Sequence, residues 1–193
     1  MKNFIALILG LMPLPVWAAI GIGDTMPSQV VKMQSTKGQA HTLQELAKGK
    51  QGTLVIFSCN HCPYAKAWES RIAAIGADAQ KKGLGVVMIN SNDPADYPED
   101  SMEGMKKKNY AFPYVVDATS NVARAFGATK TPDVFLFNRD GRLVYKGAVD
   151  DNSESEKKVK SHYLKDAIAA LLSNKKVALA ETKAIGCGIK FRK

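Results

Sequence analysis

Two continuous apolar runs and one periodic apolar stripe dominate the pattern of hydrophobic positions along the chain. The runs at 54–57 and 85–89 are short and rich in β-branched residues, which is typical of strands buried on both faces of a sheet. Between them, apolar side chains recur every three or four residues from Ala65 to Ala79, as on one face of a helix that ends at Gly83. This order predicts two parallel strands joined by a helical crossover.

Turn residues, capping signals and shorter apolar runs predict further elements on both sides of this unit. In chain order they are a hairpin over 28–38, a short helix that begins with the capping box 42–45, a helix over 102–109, a strand over 112–117, a helix over 121–126, strands over 134–137 and 142–147 joined by a turn at 138–141, and a helix over 153–173. We therefore expect one α/β domain in which helices flank a central mixed β-sheet, with an N-terminal hairpin extension and a C-terminal tail.

The N-terminal segment differs from the rest of the chain. A basic start precedes an apolar segment at 4–16, and small residues follow at the positions that signal peptidase requires. We predict a cleaved secretory signal over 1–18 and a mature domain over 19–193, located in the periplasm or outside the cell. The apolar segment is shorter than the roughly 20 residues that span a bilayer, so we expect no stable membrane anchor after cleavage.

The chain carries a formal net charge of +9, with 23% charged and 46% hydrophobic residues, as in an ordinary globular domain. Its positive residues are scattered, and no aromatic side chains alternate with them as on a nucleic-acid platform. We therefore expect a solvated basic surface and no nucleic-acid partner.

Cys59 and Cys62 stand between the first apolar strand and the long helix. A helix start presents free N–H groups and a partial positive charge, both of which stabilise a thiolate. We interpret Cys59 as the attacking thiolate, Cys62 as the resolving thiol and His61 as a source of positive charge or of a hydrogen bond, and we expect Asn60 to contact substrate. The redox group is then the Cys59–Cys62 disulfide itself, with no bound cofactor or metal. A structural disulfide or half of a zinc site is the alternative interpretation.

Three further features accompany this pair. Pro132 precedes an apolar strand, which predicts a cis bond between Thr131 and Pro132. The polar loop 90–93 follows the second parallel strand, and α/β folds place ligands at such strand ends, so we expect it beside the cysteines. Cys187 lies between two glycines in the tail. Three roles of Cys187 stay open: an inert buried thiol, a partner in an intermolecular disulfide, and an auxiliary redox thiol. We favour a tail that folds back onto the domain.

The motif Cys59-Asn-His-Cys62, the buried strands around it and Thr131-Pro132 before a hairpin resemble the thioredoxin superfamily. With the segments 89–93, 97–101 and 185–190 included, the chain resembles more closely the peroxiredoxin-like proteins of the redoxin group, over nearly its whole mature length. The resemblance implies a thioredoxin-like fold and thiol–disulfide exchange with protein substrates and an unidentified redox partner. It also implies that Thr131 and Pro132 lie against the active-site disulfide and bind the backbone of the substrate.

Two other activities compete with thiol–disulfide exchange. Peroxiredoxins carry the motif Pro-x-x-x-Thr/Ser-x-x-Cys, but Gly52 and Ile56 occupy the proline and hydroxyl positions before Cys59, so peroxide reduction lacks its motif here. Metal handling is the second, with copper(I) or zinc bound by Cys59, His61 and Cys62 together with His162 or Cys187.

Relatives in the thioredoxin superfamily place an acidic side chain near their cysteines as a proton acceptor. The approximate positions hold Thr53 and Ala65 in this chain. The proton acceptor for Cys62 therefore stays open between Asp117, His61 and a water molecule.

Overall fold

A seven-stranded mixed sheet forms the centre of the molecule in the computed structural model, which describes residues 19–192. The strands are, in chain order, β1 (Met33–Ser35), β2 (Ala40–His41), β3 (Gly52–Phe57), β4 (Gly85–Asn90), β5 (Tyr114–Val116), β6 (Lys130–Thr131), β7 (Asp133–Asn138), β8 (Leu143–Gly147) and β9 (Cys187–Gly188). The order across the sheet is β2-β1-β5-β4-β3-β7-β8, while β6 and β9 form a separate antiparallel pair.

Helices cover both faces of this sheet. They are α1 (Leu43–Ala47), α2 (Pro63–Lys81), α3 (Met102–Lys106), α4 (Asn121–Phe126) and α5 (Tyr163–Leu172), with 3-10 turns at Pro98–Asp100 and Glu156–Lys158. Strands β3, β4 and β5 run parallel to one another, and β7 pairs with β3 in the antiparallel direction. The predicted mixed sheet and the parallel pair joined by α2 are therefore confirmed.

Alternation along β3 explains why both faces of the sheet are apolar. Leu54 and Ile56 join a core cluster with side chains of α2 and α5, whereas Val55 and Phe57 join a second cluster with side chains of α1 and α4. Every residue of β3 and β4 is buried as a result. The end of β3 is consequently fixed in position by core packing on two sides.

Several predicted elements are shorter in the structure. Helix α3 ends at Lys106, β5 covers three residues, and the hairpin of β1 and β2 begins only at Met33. The helix predicted over 153–173 begins at Tyr163, so that prediction was wrong over its first ten residues.

A buried arginine binds the chain ahead of α5. The guanidinium group of Arg71 donates hydrogen bonds to the carbonyl oxygens of Asn152 at 2.7 Å and Ser153 at 2.8 Å. These contacts attach residues 152 and 153 to α2, and a 3-10 turn at Glu156–Lys158 lies between them and the start of α5 at Tyr163.

The predicted signal peptide at 1–18 lies outside the described residues. Ile20 already belongs to the fold, since it is buried and its carbonyl oxygen accepts a hydrogen bond from Lys146. Within residues 19–192, no helix is both long enough and apolar enough to cross a membrane.

Candidate active site

The Cys59–Cys62 pair lies where β3 passes into α2. Strand β3 ends at Phe57 and α2 begins at Pro63, which makes Cys62 the N-cap residue of the helix. Cys62 is fully buried, whereas Cys59 is 6% exposed, and both are free thiols in this structure. An external disulfide therefore reaches the sulfur of Cys59 before that of Cys62.

Thr131 contacts both sulfurs of the pair. Its Oγ1 lies 3.2 Å from Sγ of Cys59, and its carbonyl oxygen accepts a hydrogen bond from Sγ of Cys62 at 3.2 Å. The peptide bond between Thr131 and Pro132 is cis. The predicted cis bond and the predicted position against the cysteines are both confirmed, while binding of substrate backbone at Thr131 and Pro132 stays a prediction.

Negative charge is distributed unequally between the two thiols. A hydrogen bond from Cys59 lowers the pKa of Cys62 to about 4 against the effect of burial, and the Cys187 thiol and the Ala65 N–H group lower it further. The same hydrogen bond, burial and the Asp100 carboxylate raise the pKa of Cys59. The lowered pKa of Cys62 comes chiefly from the hydrogen bond that it accepts from Cys59. The two thiols titrate as a pair, and the role of Cys59 as the attacking thiolate stays a prediction. The charge reaches the accessible sulfur when one proton moves along the hydrogen bond between the two sulfurs.

Asp100, a buried carboxylate that the sequence interpretation did not single out, organises the loops beside Cys59. Its Oδ1 accepts hydrogen bonds from the backbone N–H of Asn60 at 2.6 Å and from the Asn90 amide at 3.2 Å. Its Oδ2 accepts from the Asn92 amide at 3.0 Å and from Nδ1 of His61 at 2.5 Å. The polar loop after β4 therefore lies beside the cysteine pair, as predicted.

His61 is held on two sides near the accessible sulfur. Its ring stacks on Tyr97 with 3.8 Å between the ring centroids and an interplanar angle of 15°. Its Nδ1 donates to Asp100, which fixes the orientation of the ring. A ring nitrogen of His61 lies within 4.8 Å of Sγ of Cys59. The expected influence of His61 on Cys59 is therefore possible without any rearrangement.

The side chains of Asn60 and Asp117 form hydrogen bonds within the fold. The Asn60 amide donates to the carbonyl oxygen of Glu99 at 2.6 Å, and its Oδ1 accepts from the Tyr114 hydroxyl at 3.1 Å. Its side chain positions the loop from inside, and the substrate contact expected for Asn60 stays a prediction. Asp117 accepts from the Ser91 hydroxyl at 2.9 Å and from a backbone N–H of α4, and none of these bonds involves the cysteine pair. The structure thus does not support Asp117 as the proton acceptor.

The third thiol completes the site. Strand β9 pairs with β6 so that Cys187 lies opposite Thr131, and the tail is folded back onto the domain as expected. Cys187 is partly buried and packs against a cluster formed by Cys59, Cys62 and Ala65. Three sulfurs therefore meet at the start of α2.

One group of side chains in the described part of the chain has metal-ligand spacing. Cys59, His61 and Asp100 each place a donor atom within 4.8 Å of the other two. His162, proposed from the sequence as a further ligand, is exposed at the start of α5 and does not belong to this group.

Comparison with known proteins gives the family. A family model described as Redoxin matches residues 22–163. The chain belongs to the Redoxin family. This redoxin is 36% identical to a hypothetical protein of Sinorhizobium meliloti, with a TM-score of 0.81 over 91% of this chain and 97% of that one. Peroxiredoxin Q of Xanthomonas campestris shares the fold, with 17% identity and a TM-score of 0.56 over 80% and 99% of the two chains. The thioredoxin-like fold is thereby confirmed.

A curated relative carries a functional name. The thiol-disulfide oxidoreductase ResA of Halalkalibacterium halodurans is 24% identical to this redoxin over 112 residues, which are 58% of this chain and 61% of that protein. The aligned region thus spans less than two thirds of the relative.

Proposed function

We propose that this redoxin is a periplasmic thiol–disulfide oxidoreductase that exchanges disulfides with protein substrates through Cys59. One observation carries the proposal: Cys59, the accessible thiol, and Cys62, the buried thiol, are held side by side against Thr131. An accessible thiol beside a buried one is the arrangement that two-step disulfide exchange requires. The name of the ResA relative supports the same reaction class.

Exchange proceeds in two balanced steps. The Cys59 thiolate attacks one sulfur of a substrate disulfide, which forms a mixed disulfide and releases the other substrate sulfur as a thiolate. Cys62 then attacks the Cys59 sulfur, which forms the Cys59–Cys62 disulfide and releases the second substrate thiolate. The substrate gains two electrons and the pair loses two, and the reverse sequence oxidises a substrate dithiol. A partner dithiol or disulfide restores the starting state of the pair.

His61 and Asp100 support the first step. The imidazole of His61 is placed to interact with the attacking thiolate of Cys59, and the hydrogen bond from Nδ1 to Asp100 holds the ring in place. Because Asp100 also binds the backbone N–H of Asn60, the same carboxylate fixes the chain between the two cysteines. Asp100 is therefore a positioning residue for the pair.

Exposed apolar side chains beside the sulfurs favour a polypeptide substrate. Tyr64, in the first turn of α2, is 42% exposed, and Ile185, two residues before Cys187, is 43% exposed. Contiguous exposed apolar surface next to a reactive group is typical of a site that binds protein segments, and in this proposal Tyr64 and Ile185 belong to such a surface. An unfolded or loosely folded chain presents such segments together with its cysteines.

Trapping of substrates tests the proposal. In Cys62→Ser the second step is blocked, so mixed disulfides at Cys59 accumulate and are identified by mass spectrometry after alkylation of intact cells. Cys59→Ser is the matched control, because it keeps one thiol of the pair but removes the accessible one. We expect adducts in the first variant and none in the second. Equal adduct yields in both variants would exclude Cys59 as the exchanging thiol.

The compartment is tested separately. Cleavage after residue 18 leaves Ile20 and its contacts in the mature chain, so signal removal is compatible with the fold. N-terminal sequencing of protein from a periplasmic extract should begin at Ala19. A chain that retains Met1 in the cytoplasmic fraction would contradict the location and leave the exchange chemistry untouched.

The donor cluster of Cys59, His61 and Asp100 favours metal handling as a second candidate function. Thiolate and imidazole donors suit copper(I) or zinc. Metal analysis of the reduced protein, purified without chelator, tests this function. One bound ion per chain that is lost in His61→Ala would favour it, and a reduced protein without a bound ion would exclude it.

A further inference from the structure

The middle thiol of the cluster has two thiol neighbours. Cys62 interacts with the thiol of Cys59 and also with the thiol of Cys187. Cys187 packs against the cluster that Cys59, Cys62 and Ala65 form, and it lies opposite Thr131, which contacts both sulfurs of the pair. Cys62 is therefore placed to form a disulfide with either neighbour, but with only one of them at a time.

The position of Cys187 is fixed by the backbone of the tail. β9 pairs with β6 in a register that places Cys187 opposite Thr131 and Gly188 opposite Lys130. Beyond β9, three hydrogen bonds continue the attachment: Ile189 N–H to the Thr129 carbonyl at 3.0 Å, Lys190 N–H to Oδ1 of the Asn92 side chain at 2.7 Å, and Asp93 N–H to the Lys190 carbonyl at 2.7 Å. A thiol held in this way stays beside Cys62 without the entropy cost of closing a free tail.

The surroundings of Cys187 change with the oxidation state of Cys62. Burial and the hydrogen bond and charge of Cys62 raise the pKa of Cys187 to about 11 in the reduced protein, whereas Lys190 and the Tyr64 N–H group lower it. When Cys62 is part of a disulfide, it carries no charge and accepts no proton. The two effects of Cys62 then vanish, and Cys187 ionises more readily in the oxidised state.

We propose that Cys187 is a third redox thiol, which moves the disulfide from Cys59–Cys62 to Cys62–Cys187. The proposal rests on the exchange function of Cys59 and extends it by one step. The Cys187 thiolate attacks the Cys62 sulfur, a bond between Cys62 and Cys187 forms, and Cys59 leaves as a thiolate. The proton lost by Cys187 passes to Cys59 or to solvent. Two sulfurs are oxidised before the step and two after it, so no external oxidant or reductant takes part.

The relay would let substrate and redox partner react with different thiols of the site. Cys59 is 6% exposed and is the thiol that exchanges with substrate in the proposed function, Cys187 is partly exposed on the tail, and Cys62 is fully buried. A partner protein with a dithiol attacks the Cys187 sulfur of the migrated disulfide and reduces it, which returns all three thiols. Substrate and redox partner then need not compete for Cys59.

Tryptic mapping distinguishes the two disulfides. Trypsin releases Cys59 and Cys62 together in the peptide 51–66 and Cys187 in the peptide 184–190. A Cys59–Cys62 disulfide stays within one peptide, whereas a Cys62–Cys187 disulfide links the two. The mature full-length chain is oxidised with one equivalent of diamide, quenched with acid, alkylated and digested, and only monomer from a non-reducing gel is mapped.

Linked peptides are expected in wild type and in Cys59→Ser, and their loss is expected in Cys187→Ser and Cys187→Ala. In oxidised wild type, alkylation should label both Cys59 and Cys187, since each is the free thiol of one disulfide isomer. Label on Cys187 alone, with no linked peptides in either wild type or Cys59→Ser, would overturn the relay while leaving exchange through Cys59 intact. Linked peptides in a protein that traps no substrate would instead overturn the proposed function and support the relay geometry.

Two glycines provide a matched pair of variants for the role of the tail register. A Cβ atom at position 186 would collide with the carbonyl oxygen of Thr131, whereas nothing lies within 4 Å of a Cβ at position 188. Gly186→Ala should therefore displace β9 and reduce the yield of linked peptides, and Gly188→Ala should leave that yield unchanged. An unchanged yield in both variants would refute the dependence of the relay on this register.

Discussion

Replacement of Asp133 by asparagine should change how the stability of the protein depends on pH. Asp133 begins β7 directly after Pro132 and is 7% exposed. Burial raises the pKa of its carboxyl group to about 7, although the backbone N–H groups of Thr129 and Lys130 and the charge of Lys146 oppose this. Asparagine keeps an oxygen acceptor for the N–H groups but carries no titratable proton.

The sign and size of the effect follow from proton linkage. An unfolded aspartate has a pKa of about 3.9, so between about pH 4 and pH 7 the folded state holds a proton that the unfolded state has lost. Because this pKa is raised on folding, the contribution of Asp133 to stability is present below about pH 4 and is lost as the pH rises through 7. At about 1.4 kcal/mol per pH unit over roughly three units, the loss amounts to about 4 kcal/mol.

Urea unfolding of wild type and Asp133→Asn, measured with a phosphine reductant at about pH 4, 5.5, 7 and 8.5, tests this prediction. The difference in free energy of unfolding, variant minus wild type, should increase with pH and become constant above about pH 8. Titration of the cysteines affects both proteins alike and cancels in the difference. Asp140→Asn, an exposed change in the turn before β8, should show no such trend. A constant difference between wild type and Asp133→Asn across the pH range would refute the reasoning.

Three further variants test two ion pairs of the fold and the carboxylate beside the cysteine pair. Asp150 contacts the buried guanidinium group of Arg71 at 2.6 Å. Asp150→Asn removes this counter-charge and should lower the free energy of unfolding by about 3 to 5 kcal/mol. Glu69→Gln breaks the partly exposed ion pair with Lys108 and should lower it by no more than about 1 kcal/mol. Asp100→Asn removes a negative charge that raises the pKa of Cys59, so the alkylation rate of Cys59 should rise at a lower pH than in wild type. An unmoved pH profile would argue against an electrostatic effect of Asp100.

Local patterns predicted the centre of the sheet well, because that centre is buried on both faces. The continuous apolar runs at 54–57 and 85–89 lie within β3 and β4, and the periodic stripe lies within α2. The start of α5 could not be predicted in the same way. Arg71 binds the carbonyl oxygens of residues 152 and 153 from 81 and 82 residues away in the sequence, and no pattern within a window of one helix contains that information.

Asp100 illustrates a second limit of sequence reasoning. The rule that ligands bind at the ends of parallel strands indicated the polar loop after β4, and the structure confirms that region. Several acidic residues follow β4 within a dozen positions, and only packing decides which of them turns inward. Asp100 is 1% exposed and binds partners 39 and 40 residues earlier, whereas its neighbour Glu99 is exposed.

The start of α2 at Pro63 lies a few residues later in the chain than a start at Cys59, which the strand-to-helix pattern also allowed. An apolar stripe that starts at Ala65 is compatible with a helix start anywhere from Cys59 to Pro63, and each choice gives a different cysteine the benefit of the N-cap position. The structure begins α2 at Pro63, a residue that tolerates the first turn because its missing N–H has no helical partner there. Pro63 was therefore the signal in the sequence for the boundary, and this boundary makes Cys62, and not Cys59, the N-cap residue of α2.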